Sequence, residues 1–195
     1  MCKAVAPGAA SESSSRALQK VSSEPTLGKQ SLRLTSPALL RGVPLKYVVR
    51  VGVDWHNTVE IGGHVPGANL TALQRLVDAN VGVNLLSYIG RGSKARRDQY
   101  YEAAHQLPMA NRFERIADCA AKTGPYGKVS LYRGWAVQVA FDDNKEVCQE
   151  AFGSKMMVWP INARFEKHEW FAQEGFRPCG TFAIAVHQFL EDHIR

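Results

Sequence analysis

The chain has 195 residues, of which 45% are hydrophobic and 22% are charged, and its formal net charge is +6. These proportions are those of ordinary globular proteins, and the length suits a single core of typical domain size. No stretch approaches the roughly 20 apolar residues that a membrane-spanning helix requires, so no membrane span is predicted.

Residues 1–45 differ in composition from the rest of the chain. They are rich in Ser, Ala, Pro and Leu, and they hold six basic residues against two acidic ones, which accounts for four of the six net positive charges. This composition is typical of a disordered basic tail, although it is also compatible with an organellar transit peptide. We therefore expect the folded domain to cover residues 46–195.

The cysteines indicate the compartment. Cys2, Cys119, Cys148 and Cys179 are far apart and form no CxxC pair or zinc-type spacing. Such a pattern favours free thiols in a reducing environment over a disulfide framework. We expect an intracellular protein, cytoplasmic or, if the N-terminus is a transit peptide, organellar.

From residue 46 onward, strand-like and helix-like segments alternate. The glycine-rich segment 61–67 lacks the spacing of a phosphate-binding P-loop and is predicted to be a turn. The predicted segments in chain order are strand 47–53, a helix capped by Asn69 that runs to about Asn80, strand 83–88, a helix capped by Ser93, strand 116–121, helix 128–135, strand 137–141, helix 144–152, strand 156–161 and helix 181–194. Segment 116–121 would also suit a helix by its composition. This alternation predicts a doubly wound, Rossmann-like α/β fold, in which a five-stranded parallel sheet has helices on both faces.

Polar side chains mark the ends of three predicted strands. Asp54 ends the first, Ser87 lies at the end of the second, and Asp142 and Asp143 end the fourth. Open α/β sheets bind their ligands at the carboxyl ends of the strands. Carboxylates gathered there could hold Mg²⁺, which prefers oxygen ligands. An N-cap or turn aspartate is the alternative for Asp54 alone.

A turn-rich segment between the second and fourth strands adds two basic side chains, Lys122 and Lys128. A lysine at this point could neutralise the oxygens of a bound phosphate group. With the acidic strand ends, it would complete a site for phosphoryl chemistry.

The order of these residues resembles that of the haloacid dehalogenase-like (HAD) hydrolase superfamily, over about residues 46–195. In that family a first strand ends in a nucleophilic aspartate followed by a threonine, which Asp54 and Thr58 match. A second strand ends in Ser or Thr, as at Ser87. A lysine follows, for which Lys128 is the preferred match and Lys122 the alternative. The last strand ends in acids, as at Asp142 and Asp143. The resemblance also implies the strand order 5-4-1-2-3.

The resemblance implies a Mg²⁺-dependent phosphomonoester phosphatase that acts through an aspartyl-phosphate. Asp54 would be the nucleophile. The metal ligands would be the side chains of Asp54, Asp142 and Asp143 and the main-chain carbonyl of His56. Thr58, Ser87 and Lys128 would bind the phosphorylated substrate.

One position departs from the family pattern. Family phosphatases usually have a second aspartate two residues after the nucleophile, as general acid and then base, whereas this chain has His56. Histidine can do acid–base work near neutral pH, so His56 is predicted to be catalytic. A loop histidine bonded to the backbone is the alternative, and it would fit a catalytically inactive binding or scaffold domain. An unrelated nucleotide-binding domain is disfavoured because no G-x-G-x-x-G motif is present.

The spacings bear on the substrate. Thr58 and Ser87 are separated by 28 residues, and Ser87 and Lys128 by 40, which leaves no room for a full cap domain in either interval. The resemblance therefore implies a capless, open site, which in this family is typical of large substrates or of a partner that acts as a lid. The basic segment 91–97 is predicted to be a solvated helix start rather than a nucleic-acid site.

Overall fold

The computed structural model of the chain describes residues 49–89, 93–120, 124–162, 176 and 178–194. The predicted tail 1–45, Lys122 and Arg91 lie outside the described residues. Among the described residues, no helix has the length and apolar character needed to cross a bilayer.

Within the described residues, five strands form one parallel sheet. They are β1 (Arg50–Asp54), β2 (Gly82–Ile89), β3 (Arg115–Ala120), β4 (Val139–Asp142) and β5 (Met157–Pro160). The sheet has the order β3-β2-β1-β4-β5, and each neighbouring pair is parallel. The β-branched residues of these segments favour the strand conformation. Central strands that are apolar on both faces are typical of a sheet covered by helices on both sides. The predicted fold class and strand order are confirmed.

Helices cover both faces of the sheet, as predicted. They are α1 (Gly67–Asp78), α2 (Lys94–His105), α3 (Gly124–Gly134), α4 (Lys145–Gly153) and α5 (Phe182–His193), with a short 3₁₀ turn at Ala110–Arg112. One buried cluster joins α1, α2 and α5 to the sheet. A second joins α3 and α4 to the opposite face. α3 therefore lies on the same face of the sheet as the side chain of Asp54, which ends β1.

Helix starts agree with the prediction where a side chain caps the helix. Asn144 accepts a hydrogen bond from the backbone N–H of Val147 at 3.1 Å, and Thr181 accepts one from Ile184 at 3.3 Å. Ser93 stands at the N-cap of α2 without a side-chain cap bond. α3 begins at Gly124, four residues before its predicted start. Gly124 and Pro125 indicate a turn by composition, yet proline is well tolerated in the first turn of a helix.

The prediction that Asn69 caps the first helix is wrong. α1 begins at Gly67 after Pro66, and Asn69 is buried inside its first turn. Its side-chain amide donates hydrogen bonds to the carbonyl oxygens of Thr58 at 3.1 Å and Val59 at 3.0 Å. Asn69 therefore fixes the loop that follows β1.

That loop turns back sharply after the strand. The backbone N–H groups of Val59 and Glu60 both donate to the carbonyl of Trp55, at 3.0 and 2.8 Å. Ile61 and His64 then pair as antiparallel neighbours. Gly62 and Gly63 between them have positive φ angles of 60° and 89°, which suits the tight turn of a two-residue hairpin. The predicted turn at 61–67 is thus a small hairpin beside the end of β1.

Candidate active site

Two aspartates lie side by side at the carboxyl edge of the sheet. Val53 of β1 is in register with Phe141 of β4, so the next residues, Asp54 and Asp142, are neighbours across the two strands. Both are buried, with 3% and 0% of their surface exposed. Burial of a carboxylate is costly unless a charge or hydrogen bond compensates it, so a partner is required.

Lys128 supplies that partner. Its Nζ lies 2.5 Å from Oδ1 of Asp54 and 2.7 Å from Oδ2 of Asp142. It comes from α3, which brings it over the sheet edge, and its side chain is buried. One ammonium group therefore joins the carboxylates of β1 and β4.

Burial and charge act in opposite directions on these groups. Burial raises the pKa of Asp54 to about 6, and the charge of Asp143 adds to the effect while Lys128 opposes it. Burial likewise raises the pKa of Asp142 to about 6, against the charge of Lys128. For Lys128, burial lowers the pKa, but the two carboxylates outweigh it and raise it well above its ordinary value. The two carboxylates thus favour the charged form of the lysine, whereas burial favours the protonated form of each aspartate.

A third carboxylate completes a compact acidic group. One oxygen from each of Asp54, Asp142 and Asp143 lies within 4.8 Å of the others. Asp142 also accepts a hydrogen bond from the backbone N–H of Asn144 at 2.9 Å. Burial, and then the charge of Asp142, raises the pKa of Asp143, while hydrogen bonds with Asn57 and Asp54 lower it. An all-oxygen set of this kind suits a hard divalent cation such as Mg²⁺.

His56 contacts Ser87, the predicted residue of the second strand. His56 Nδ1 and Ser87 Oγ are 2.7 Å apart. Ser87 is fully buried, whereas the imidazole is half-buried. Burial lowers the pKa of His56; Glu60 opposes this, and Lys128 and Arg96 add to it. Burial therefore favours the neutral form of the imidazole.

Thr58, in the loop after β1, has a buried side chain. It is fully buried, and its Oγ1 has no hydrogen-bond partner among the described residues. It does not line the cleft at this edge of the sheet. Its role in substrate binding stays a prediction.

A cleft with a volume of about 310 Å³ opens above these side chains. Four predicted residues line it: Asp54, His56, Lys128 and Asp143. Sequence reasoning did not single out five others: Asn57, Tyr88, Asn144, Glu146 and Val147. Each lies within four residues of a predicted one, so position along the chain was the available signal. Which neighbours face the cleft depends on the loop conformation, as at Asn57, whose φ is 59°.

The basic segment after β2 is largely partnered where it is described. Lys94 forms an ion pair with Asp98 one turn along α2, and Arg97 forms one with Asp118 of β3. These contacts fit the predicted helix start.

Comparison with protein-family models and with curated protein sequences finds no match. Solved structures do match, and two of them are phosphatases. A D,D-heptose 1.7-bisphosphate phosphatase from B. bronchiseptica, complexed with magnesium and phosphate, is 19% identical with a TM-score of 0.52, covering 74% of this chain and 99% of that one. A D,D-heptose 1,7-bisphosphate phosphatase from Burkholderia Thailandensis is 13% identical with a TM-score of 0.52, covering 73% and 98%. The chain has the fold of these phosphatases.

Proposed function

We propose that the chain is a HAD-like, Mg²⁺-dependent phosphatase that hydrolyses phosphate monoesters through an aspartyl-phosphate on Asp54. The observation that carries the proposal is the buried contact of Lys128 with Asp54 and Asp142, beside Asp143, at the edge where such sheets bind ligands. The shared fold with two phosphatases supports it.

The acidic group fits a divalent cation by charge as well as by ligand type. Three carboxylates face one ammonium group, which leaves an excess of negative charge when all are ionised. The side chains of Asp54, Asp142 and Asp143 and the carbonyl of His56 would hold Mg²⁺. When bound, the ion would neutralise charge on the phosphoryl oxygens.

Asp54 would act as the nucleophile. Its carboxylate oxygen would attack phosphorus, and the bond from phosphorus to the ester oxygen would break. The leaving group would take up a proton from protonated His56 or, when it departs as a stable anion, from solvent. Attack of water would then release inorganic phosphate and restore the carboxylate. Lys128, already 2.5 Å from Asp54, would stabilise negative charge on the transferred group.

His56 would be the general acid and base of the reaction. Its Nδ1 is hydrogen-bonded to Ser87, so Nε2 is the ring nitrogen left for proton exchange. As the base, His56 would carry its proton on Nδ1 and donate it to Ser87 Oγ, which leaves Nε2 free to accept a proton. Because burial lowers the pKa of His56, the neutral imidazole suits the second step, in which a base accepts a proton from water. Leaving groups that depart as stable anions need little help from an acid in the first step.

The substrate would be a large phosphorylated molecule that enters an open cleft. The described residues between Thr58 and Ser87 form only the hairpin, α1 and the start of β2. Those between Ser87 and Lys128 form the rest of β2, α2, the 3₁₀ turn, β3 and the start of α3. These elements support the proposal of a capless site.

Hydrolysis of an aryl phosphate, with and without Mg²⁺, tests the proposal. We expect metal-dependent turnover by the wild type and none by Asp54→Asn. Asp98→Asn, which changes an exposed aspartate on α2, is the matched control and should be as active as the wild type. Full activity in Asp54→Asn would overturn the mechanism. No turnover and no Mg²⁺ binding would favour a binding or scaffold domain.

A further inference from the structure

Two residues of α3 lie above two residues of β1. Lys128 and Tyr132 are four residues apart, so they project from the same face of the helix. Gly52 and Asp54 are two residues apart, so they belong to the same face of the sheet. Lys128 contacts Asp54, and the ring of Tyr132 lies against Gly52. The contacts Lys128–Asp54 and Tyr132–Gly52 are therefore neighbours along one interface between α3 and β1.

The ring of Tyr132 occupies the space that a side chain at Gly52 would need. A Cβ added at Gly52 would lie 2.6 Å from Cζ and 2.7 Å from Cδ1 of the ring, well inside van der Waals contact. Gly52 is not among the residues with positive φ. Its glycine is therefore required by the ring above it rather than by its backbone conformation.

The ring is held by volume rather than by polarity. Tyr132 is fully buried, and its hydroxyl has no hydrogen-bond partner among the described residues. An unpaired buried hydroxyl costs free energy, so hydrogen bonding does not explain its place. The ring packs in the cluster that contains Leu86 and Ala140, and Ala140 is the register partner of Gly52 on β4. Small residues on two adjacent strands thus make room for it.

We propose that Gly52 and Tyr132 are a positioning pair that sets the distance of α3 from the sheet and so places Lys128 between Asp54 and Asp142. The catalytic consequence rests on the proposed function. The Lys128 ammonium group meets two carboxylates at 2.5 and 2.7 Å, and the distance of α3 from the sheet decides whether the buried lysine side chain reaches both. A displacement of about 1 Å can cost on the order of a hundredfold in rate.

The test compares Gly52→Ala, Tyr132→Leu, Tyr132→Phe and the double variant Gly52→Ala/Tyr132→Leu in the full chain. Gly134→Ala, at the end of α3, is the matched control, because a Cβ there meets nothing within 4 Å. Three quantities are measured: kcat for an aryl phosphate, the rate at which an amine-reactive reagent labels Lys128 in the native protein, and Tm.

We expect Gly52→Ala to lower kcat by on the order of a hundredfold and to raise the labelling rate of Lys128 about tenfold or more, as for a locally opened segment. Tyr132→Leu should raise labelling as well. Tyr132→Phe, which keeps the ring, and Gly134→Ala should leave Lys128 protected. The double variant should recover part of the protection and part of kcat, because the added methyl occupies space that the smaller side chain vacates.

The labelling rate separates this proposal from the proposed function, since it needs no activity. If neither the wild type nor any variant hydrolyses the aryl phosphate, but Gly52→Ala still exposes Lys128 to labelling, the positioning pair stands and the phosphatase proposal fails. If Gly52→Ala does not fold, Tyr132→Leu decides. Wild-type labelling and wild-type kcat in Tyr132→Leu, or in a Gly52→Ala variant that has only a lower Tm, would overturn the pair as a positioning device.

Discussion

Lys128 connects the two central strands of the site, because its ammonium group contacts one carboxylate from β1 and another from β4. Taking such charges out of water is expensive, and their attraction repays the cost only when the geometry is good. The presence of these two ion pairs is therefore weak evidence that they stabilise the fold. Removal of one partner, in contrast, should destabilise the fold, since it leaves buried charges uncompensated.

Lys128→Met should destabilise the metal-free protein by roughly 3–5 kcal/mol, the usual cost of breaking a buried ion pair. Urea denaturation measures the change in the free energy of unfolding. Mg²⁺ should recover part of the loss, because a cation would again balance Asp54 and Asp142. Lys94→Met, which removes an exposed partner of Asp98, should leave stability unchanged. An equally small effect at both lysines would contradict the account of the buried contact.

The two buried aspartates predict how Mg²⁺ binding depends on pH. Their ordinary pKa of 3.8 is raised to about 6 in the folded protein. At pH values between 3.8 and about 6, the folded state binds more protons than the unfolded state. The contribution of the two aspartates to the stability of the metal-free protein therefore falls as pH rises through this range. Protons also compete with the metal for the same oxygens. The increase in Tm caused by Mg²⁺ should therefore be larger above pH 6 than below it.

Thermal unfolding with and without Mg²⁺, on both sides of pH 6, measures this effect. The variant Asp54→Asn serves as the control, since it removes one of the two titrating groups and should weaken the pH dependence. A Mg²⁺ effect that is the same across the range would show that these carboxylates do not bind the ion.

At the scale of elements, the loop after β1 depends on α1. Asn69 reaches from the first turn of that helix to two carbonyl oxygens of the loop, at Thr58 and Val59. The same loop carries His56, which contacts Ser87 of β2. The helix therefore stabilises the conformation that holds His56 at the cleft, although it contributes no side chain to the cleft lining described above.

Asn69→Leu should cost about 1–3 kcal/mol, because two buried carbonyl oxygens lose their donor. Turnover should fall as His56 becomes less fixed, while Mg²⁺ binding by the three aspartates is kept. Urea denaturation, kcat and Mg²⁺ titration measure the three quantities. Thr71→Ala, on the exposed side of α1, is the control. A loss of Mg²⁺ binding as large as the loss of turnover would contradict this division of roles.

The strands were predictable from the sequence, and the helix starts only in part. β1 and β2 are largely apolar runs; β1 ends one residue beyond its predicted end, and both ends of β2 lie within one residue of their predicted places. α3 begins earlier than predicted because Gly124 and Pro125 are tolerated in a first turn. The inward-facing side chain of Asn69 was missed because an asparagine before an apolar helix usually marks a cap.

At the scale of the whole molecule, the order of polar strand ends was enough to predict that the main residues of the candidate site lie close together. Parallel strands end at one edge, so Asp54, Ser87 and Asp142 had to come near each other once the sheet was correct. Two features were beyond this reasoning. The contact of His56 with Ser87 and the contact of Tyr132 with Gly52 depend on tertiary packing, which spacing along the chain does not report.

The boundary near residue 45 gives a prediction at this scale. A protein consisting of residues 46–195 should have the same Tm and the same Mg²⁺-dependent kcat as the full chain, because the predicted core and all proposed site residues lie within it. Thermal unfolding and an aryl phosphate assay of both proteins measure this. A truncated protein that unfolds, or that loses activity while folded, would assign residues 1–45 a part in the domain.

The most direct test of the account is to identify the residue that carries the phosphoryl group during turnover. The protein is mixed with an aryl phosphate and Mg²⁺, quenched rapidly in acid and analysed by peptide mass spectrometry. We predict one phosphoryl group on Asp54, absent without Mg²⁺ and accumulating further in His56→Ala, where its hydrolysis would be slowed. Turnover with a phosphoryl group on another residue, or with none on Asp54 under conditions that trap the intermediate, would contradict the proposed mechanism.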